Sequence, residues 1–274
     1  MISLNECEFH RVVEFVKLHY GINLEKKYAL VQARLALEIE REGYTSFRTY
    51  FDEVFAAPNG AAAQAMIDKL STNHTFFFRE PASFDHLVQS AFPEFVRRGL
   101  RHVLIWSAAA STGQECYTIA MLLDEYCRTS GADISFSVVG SDINSQVLKT
   151  AAAGVYSAAE LARIPSRLHS RCCLLRDNGS FAVAPEIKAR VSWRRNNLVG
   201  PLSLVYRYHV IFCRNVMIYF DAATKQKLTQ SLHRAMYEKG LLYIGNTETI
   251  DSTRRFFSSI SPSVFLRKSV MTYD

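Results

Sequence analysis

The segment Val210 to Phe220, VIFCRNVMIYF, limits the possible folds of this 274-residue chain more than any other stretch. An apolar run opens into Arg214 and Asn215, and Tyr219 follows one helical turn on, which is the form of a buried strand ending at a polar edge. In an open parallel sheet the ligand crevice lies outside the carboxyl ends of the strands, so these three residues are placed to face it. Taken alone, the segment reads equally well as a helix cap followed by a half-buried ring. The choice between the two depends on whether other strand ends carry matching chemistry.

Two of them do. Val103 to Trp106 breaks into the small residues Ser107 to Gly113 and resumes as a helical pattern from Gln114 to Leu123. Small side chains let a ligand approach the backbone, and free N–H groups at a helix start favour polar or anionic ligand groups. A dinucleotide fingerprint needs three glycines at such a turn, and only Gly113 is present, so a pyrophosphate cradle is disfavoured. The run Phe136 to Gly140 ends at Ser141-Asp142-Ile143-Asn144, placing a carboxylate where ribose hydroxyls are commonly held. Asp142 reads equally as the N-cap of a helix from Ile143 to Ala153. Together the two ends describe a nucleoside site without a pyrophosphate clamp. S-adenosylmethionine fits: it has no phosphate, and its cationic sulfonium is compatible with Glu115 and Asp142.

These residues carry a family resemblance. Ser71-Thr72-Asn73-His74-Thr75-Phe76-Phe77-Phe78-Arg79-Glu80, Ile105 to Gly113, Ser141-Asp142-Ile143, Asn197-Leu198 and Phe212 to Phe220 resemble, in order and spacing, segments of the CheR chemotaxis methyltransferases. The likeness spans from about Phe9 to the C-terminus. It implies transfer of methyl from S-adenosylmethionine to glutamate side chains of methyl-accepting chemotaxis receptors, leaving S-adenosylhomocysteine. The implied fold is α/β, a class I (Rossmann-like) methyltransferase sheet with a small β-hairpin subdomain, preceded by a small all-α domain. Five positions, in three segments, depart from the family pattern. Gln114 and Cys116 stand where an acid and a proline are usual, His209 replaces an Asp, and Gly245-Asn246-Thr247-Glu248 replaces Gly-His-Ser-Glu.

The resemblance assigns cofactor contacts to Asn73, Thr75, Arg79, Glu115, Asp142, Asn197, Leu198, Arg214 and Asn215. Asp142 would take the ribose hydroxyls, Asn197 and Leu198 would flank the adenine with Asn197 reading its edge, and Arg214 and Asn215 would line the methionine side. Arg79 and Tyr219 are the expected catalytic pair at the acceptor carboxylate. A glutamate side chain with an ordinary pKa of about 4.3 is ionised at neutral pH, so it needs no general base. The enzyme's task is to align and desolvate. Enzymes that methylate exocyclic nucleic-acid nitrogens carry an Asp/Asn-Pro-Pro-Tyr-type motif here, and Arg214 to Tyr219 contains no proline.

The domain reading is helical from Met1 to about Ser71 and catalytic from about Thr72 to Asp274, with turn-rich breaks at Ala56 to Gly60 and at Glu80-Pro81. Phe76, Phe77 and Phe78 are expected to pack at the junction. Glu25 to Glu42 reads as a helix stopped by Gly43, with Tyr28, Val31, Leu35 and Ile39 on its apolar face. Lys27, Arg34 and Arg41 recur every seven residues, a nearly straight basic stripe. In the resembling family the helical domain contacts the acidic methylation helices of the receptor, so these three are the expected receptor-binding residues. Asp177-Asn178-Gly179 signals a hairpin inside an insert near Arg167 to Trp193. Family members of this kind can dock a receptor-tail pentapeptide there; the hairpin here is shorter, so strong dependence on such a tether is not expected.

Net charge is +6, but no dense basic block marks a nucleic-acid partner. No run of apolar residues is long enough to enter a membrane directly, and the first residues lack a signal-peptide pattern, so the expected location is cytoplasmic, with recruitment to membrane receptor arrays. The six cysteines follow no metal-ligand spacing, and no metal is expected. A regulatory protein partner stays open. The competing readings are a non-catalytic adaptor that binds S-adenosylmethionine and, disfavoured by the missing glycines, an NAD-dependent oxidoreductase.

Overall fold

The computed structural model describes residues 2–200, 206–250 and 255–269. Four helices come first: α1 (Glu6–Tyr20), α2 (Tyr28–Arg41), α3 (Phe47–Ala56) and α4 (Ala61–Leu70). A reciprocal capping box opens α1, Asn5 Oδ1 accepting from Glu8 N and Glu8 Oε2 from Asn5 N, both at 2.9 Å. Val12, Val16, Val31, Leu35, Phe47, Phe51 and Ile67 interlock as a separate apolar core. Helix α2 starts three residues later than the sequence pattern predicts. The Asn23 side chain accepts from Glu25 N at 2.9 Å, and Lys27 N donates to Leu24 O, so 23–27 form a turn and Lys27 becomes the N-cap. Of the expected apolar face, Val31, Leu35 and Ile39 are fully buried, while Tyr28 lies at the rim with its hydroxyl donating to Leu4 O.

A continuous helical span follows, α5 (Ala82–His86) and α6 (Phe92–Arg97) joined through a π-type turn at Leu87–Ala91. Strands β1 (His102–Ser107) and β2 (Ser135–Asp142) flank α7 (Gln114–Ser130). Helix α8 (Ser145–Ala153) leads into β3 (Val155–Tyr156), α9 (Ala158–Leu161), α10 (His169–Cys172), β4 (Cys173–Leu175), β5 (Phe181–Val183) and α11 (Pro185–Lys188). Then come β6 (Val191–Arg195), β7 (Tyr208–Cys213), α12 (Ala222–Arg234), β8 (Met236–Ile244), β9 (Phe257–Ser261) and β10 (Val264–Arg267).

The main sheet has the order β6-β2-β1-β7-β8-β10-β9. Its first five strands are parallel, and β10 and β9 turn back antiparallel. Helices cover both faces, which is why β1 and β7 read as near-continuous apolar runs rather than alternating ones. A second sheet, β3-β5-β4, carries the expected hairpin, with Leu175 opposite Phe181 and Arg176 N donating to Ser180 O at 2.9 Å. The insert is displaced from the expected 167–193. It gains β3 at its start, while Val191 to Trp193 belong to the main sheet beside β2. Two-residue β3 is too short to show a periodic pattern.

The helical and catalytic parts are stitched together by side chains. Asp68 of α4 accepts from Ser145 N at 3.0 Å and from the Ser145 hydroxyl at 2.5 Å, and Asn144 Nδ2 donates to Asp68 O and Ser71 Oγ. Among the described residues no helix is long and apolar enough to cross a membrane.

Candidate active site

The parallel register sets Ser107 beside both Gly140 and Phe212, so the carboxyl ends of β1, β2 and β7 finish side by side. A cavity of about 250 Å³ opens above them, roofed by the α1–α2 turn of the helical domain through Ile22, Asn23 and Leu24. All nine expected cofactor contacts line it, as do Tyr219 and Lys27. Residues drawn from positions 22 to 219 are thereby brought to one place.

A charged network forms the floor. The Arg214 side chain, 1 % exposed, donates from Nη1 to Glu115 Oε2 at 2.8 Å and from Nη2 to Glu80 Oε2 at 3.1 Å and Arg79 O at 2.7 Å. Glu115 Oε1 accepts from the Ser107 hydroxyl at 2.8 Å. Removing one member would strand a buried charge, at about 3–5 kcal/mol. Burial pushes the Glu80 carboxyl up, but donors from Asn215 and Asn246 N and the Arg214 charge outweigh it, and Glu80 lies below the usual carboxylate range. It stays ionised. Arg79 itself donates to His74 O at 2.7 Å and leaves its Nε 4.0 Å from Glu80.

Asp142 resolves the ambiguity in its sequence position. Asn144 caps α8, accepting from Gln146 N and Val147 N, so Asp142 is not the cap. Its two oxygens instead accept from Ser111 N at 2.8 Å and Asn144 N at 2.9 Å. Burial raises its pKa, and these backbone donors oppose that rise. Each carboxylate oxygen still has a lone pair for a further donor.

Glu248 was not expected here and organises the turn after β7. Its Oε1 accepts from Val216 N at 2.9 Å and Met217 N at 2.7 Å, and its Oε2 from Asn215 N at 2.8 Å and Gly245 N at 2.7 Å. Asn215 sits at φ +57, and Phe78, Glu80 and Ser111 share that left-handed conformation in or beside the cavity. Among the described residues, four of the six non-glycine residues at positive φ are therefore gathered at this site, where such strain tends to concentrate. The Gly245–Glu248 motif was the available signal for Glu248. Nothing local revealed that its carboxylate would reach back to Asn215.

Several expected residues occupy other roles. Asn197, expected to read an adenine edge, is engaged at both ends of its amide: Nδ2 donates to His19 O at 2.8 Å and Oδ1 accepts from Val199 N at 3.1 Å. Its neighbour Asn196 also lines the cavity and keeps a buried Nδ2 with no partner among the described residues. Phe76, expected to pack with Phe77 and Phe78, lines the cavity instead, with the Arg163 guanidinium 4.4 Å and the Arg79 guanidinium 5.8 Å from its ring centre. Phe77 does pack, buried against Tyr156 and Phe181. The basic stripe is not one surface. Lys27 enters the cavity wall, Arg34 donates to the carbonyls of Lys69, Leu70 and Ser71 at the end of α4, and exposed Arg41 pairs with Glu38 and Glu42. Arg34 Nη1 thus caps the end of α4 through three carbonyls, a contact that the seven-residue spacing does not predict.

The donor set fits S-adenosylmethionine. Arg214 Nε and Asn196 Nδ2 are buried donors without partners among the described residues, on residues that line the cavity. They suit a ligand with a carboxylate and an unsubstituted base. Asp142 suits its hydroxyls, Glu115 a cationic centre, and Ile22, Ile143 and Leu198 an apolar ring.

Residues 73–265 match the model of the CheR methyltransferase SAM binding domain, and residues 8–71 that of the CheR methyltransferase all-alpha domain. The chemotaxis protein methyltransferase of Borreliella burgdorferi is 33% identical over 257 residues, 91% of this chain and 90% of the relative. Chemotaxis protein methyltransferase 1 of Pseudomonas aeruginosa is 30% identical over 274 residues, covering 97% of this chain and 99% of the relative. A chemotaxis protein methyltransferase of Vibrio parahaemolyticus is 32% identical over 255 residues, 91% of each chain.

Proposed function

The chain belongs to the CheR methyltransferase family, and we propose that it esterifies glutamate side chains of methyl-accepting chemoreceptors, using S-adenosylmethionine and leaving S-adenosylhomocysteine. The observation that carries this reading is the single cavity in which the strand-end residues Glu115, Asp142 and Arg214 meet Arg79, Tyr219 and Lys27. The acids and Arg214 suit the methyl donor, and the cations Arg79 and Lys27 with the Tyr219 phenol suit a carboxylate.

When bound, S-adenosylmethionine supplies an electrophilic methyl group on a cationic sulfur. Asp142 holds the ribose hydroxyls, Asn196 rather than Asn197 meets the base, and Arg214 with Asn215 borders the amino-acid end. Arg79 orients the acceptor carboxylate without pairing tightly, since a strong bidentate pair would stabilise the reactant and blunt the nucleophile. Its link to the His74 carbonyl and its distance from Glu80 are consistent with that looser role. The Tyr219 carbonyl accepts from Asn23 N at 3.0 Å, so the helical domain helps to hold the segment that carries the phenol. The α1–α2 turn roofs the cavity through Ile22, Asn23 and Leu24 and limits the access of water to it, which favours attack by a partly desolvated carboxylate.

Gln114 is 6 % exposed, accepts from the Thr112 hydroxyl and lies outside the cavity lining. Glu115, the neighbouring acid that does line the cavity, is retained, which supports the catalytic reading over a non-catalytic adaptor. Lys27 and exposed Arg41 are the receptor-facing cations, meeting acidic methylation helices from the cytoplasmic side of receptor arrays. The proposal is tested by measuring methyl-transfer turnover and S-adenosylhomocysteine affinity in parallel for Arg79→Ala and Tyr219→Phe. Turnover should fall at least about tenfold more than affinity; equal losses in both would overturn the assignment to the acceptor.

A further inference from the structure

A second concavity, about 430 Å³, lies between the helical span 82–97 and the strands β8, β10 and β9, and shares no lining residue with the cofactor cavity. Phe95, Leu241 and Leu266 make its floor apolar, and Ile260, 49 % exposed, extends that floor to the sheet edge. Its rim is basic. Arg97, Arg98 and Lys239 surround it against one acid, Glu94, which is already paired with Arg97. Arg98 and Lys239 enter no ion pair among the described residues, and the Arg98 guanidinium lies 5.7 Å over the Phe95 ring.

Two irregularities of the sheet converge on this groove. Tyr208 is paired with Met236 but Val210 with Leu241, so β8 carries extra residues opposite His209, and Lys239 stands among them at φ +58. On the edge, Val264 is paired with Ser261 and Phe265 with Ser259, which leaves Ile260 as the bulged residue of β9. Bulges re-aim side chains, and a non-glycine residue held at positive φ persists only where its surroundings enforce it. Here they direct one cation and one large apolar side chain to the same groove. Among the described residues β9 is paired only with β10.

We propose that this groove docks an acidic peptide segment of a partner protein, with a large apolar side chain seated between Phe95, Leu241 and Ile260 and carboxylates on Arg98 and Lys239. Charge complementarity selects this occupant. A second copy would bring one basic rim against another, and a nucleic acid would leave the apolar floor unfilled.

The test is fluorescence anisotropy on the full chain with a labelled peptide of Asp and Glu residues around a central Leu-Phe pair. Control probes are the same peptide with a central Gly-Gly pair and a labelled oligothymidine. Saturable binding is expected, weakened about tenfold or more by Arg98→Glu combined with Lys239→Glu, by Ile260→Asp, and by the Gly-Gly replacement. Lys239→Gly suits the backbone angle, so it should weaken binding with an unchanged or raised melting temperature. Thermal stabilisation by S-adenosylhomocysteine should be retained in every variant, showing that the fold survives. No saturable binding at millimolar peptide, equal affinity in the variants, preference for the oligonucleotide, or self-association abolished by the charge reversal would each overturn the proposal.

Discussion

Glu248→Gln is the perturbation with the most to say about how the active-site turn is held. Each carboxylate oxygen of Glu248 accepts two backbone N–H groups, Val216 and Met217 on one and Asn215 and Gly245 on the other. Whichever oxygen becomes NH₂, two donors then face a donor in a site only 7 % exposed. Leaving a buried N–H unsatisfied costs roughly 1–3 kcal/mol, so the pair costs about 2–6 kcal/mol. For a chain of this size 1 kcal/mol moves the melting temperature by roughly 2–4 °C, which places the expected drop on the order of 10 °C. The same N–H groups fix the turn that carries Tyr219. Turnover measured well below the transition should therefore fall about tenfold while S-adenosylhomocysteine still binds. The assay is thermal unfolding with steady-state kinetics on the same preparation. A melting temperature within about 2 °C of the parent, with unchanged turnover, would refute the idea that Glu248 holds the turn.

His209 accepts from Leu104 N at 3.0 Å, and burial, with Arg98 and His102 nearby, lowers its pKa from 6.5 to about 4. Its folded value lies below the unfolded one, so the stability it contributes is complete above pH 6.5 and is lost as pH falls toward 4, by at most about 3 kcal/mol. His209→Asn, which keeps an acceptor, should flatten that part of a pH–stability profile measured by urea unfolding; an unchanged slope would remove His209 as the cause. Gly113 sits at φ +97, and a Cβ there would come within 2.9 Å of Ala151 and Trp193 and 3.0 Å of the Tyr156 hydroxyl. Gly113→Ala should destabilise by more than about 2 kcal/mol in the same assay, and a cost under about 0.5 kcal/mol would mean that this contact relaxes freely. Lys27→Glu with Arg41→Glu should slow methylation of receptor membranes at low salt and much less at high salt; equal slowing at both would exclude steering. Calorimetric titration with a receptor-tail pentapeptide should show no strong binding to the short β4–β5 hairpin, and a clear isotherm would overturn that expectation.

The strand ends were legible because their signal is local. An apolar run that stops at Ser107, Asp142 or Arg214 announces where a buried strand meets a polar edge, and parallel pairing then sets those ends side by side. What stayed hidden depends on contacts distant in sequence. The seven-residue recurrence of Lys27, Arg34 and Arg41 is real, but it could not show that the last turn of α4 would deliver three carbonyls to Arg34. Nor could adjacent asparagines reveal that Asn197 would tie down α1 while Asn196 Nδ2 has no partner among the described residues. In the aromatic triplet, successive residues face different ways, so Phe77 is buried and Phe76 meets the cavity. The insert was displaced for a similar reason, because β3 is two residues long and its place in the small sheet comes from pairing with β5.

The decisive measurement is transfer of labelled methyl from S-adenosylmethionine to chemoreceptor-containing membranes, with release of the label by mild base. Base-labile label on receptor glutamates, lost with Arg79→Ala and Tyr219→Phe, is the predicted result. Bound S-adenosylmethionine with no transfer to any receptor, or label that resists base, would contradict glutamate esterification by this cavity.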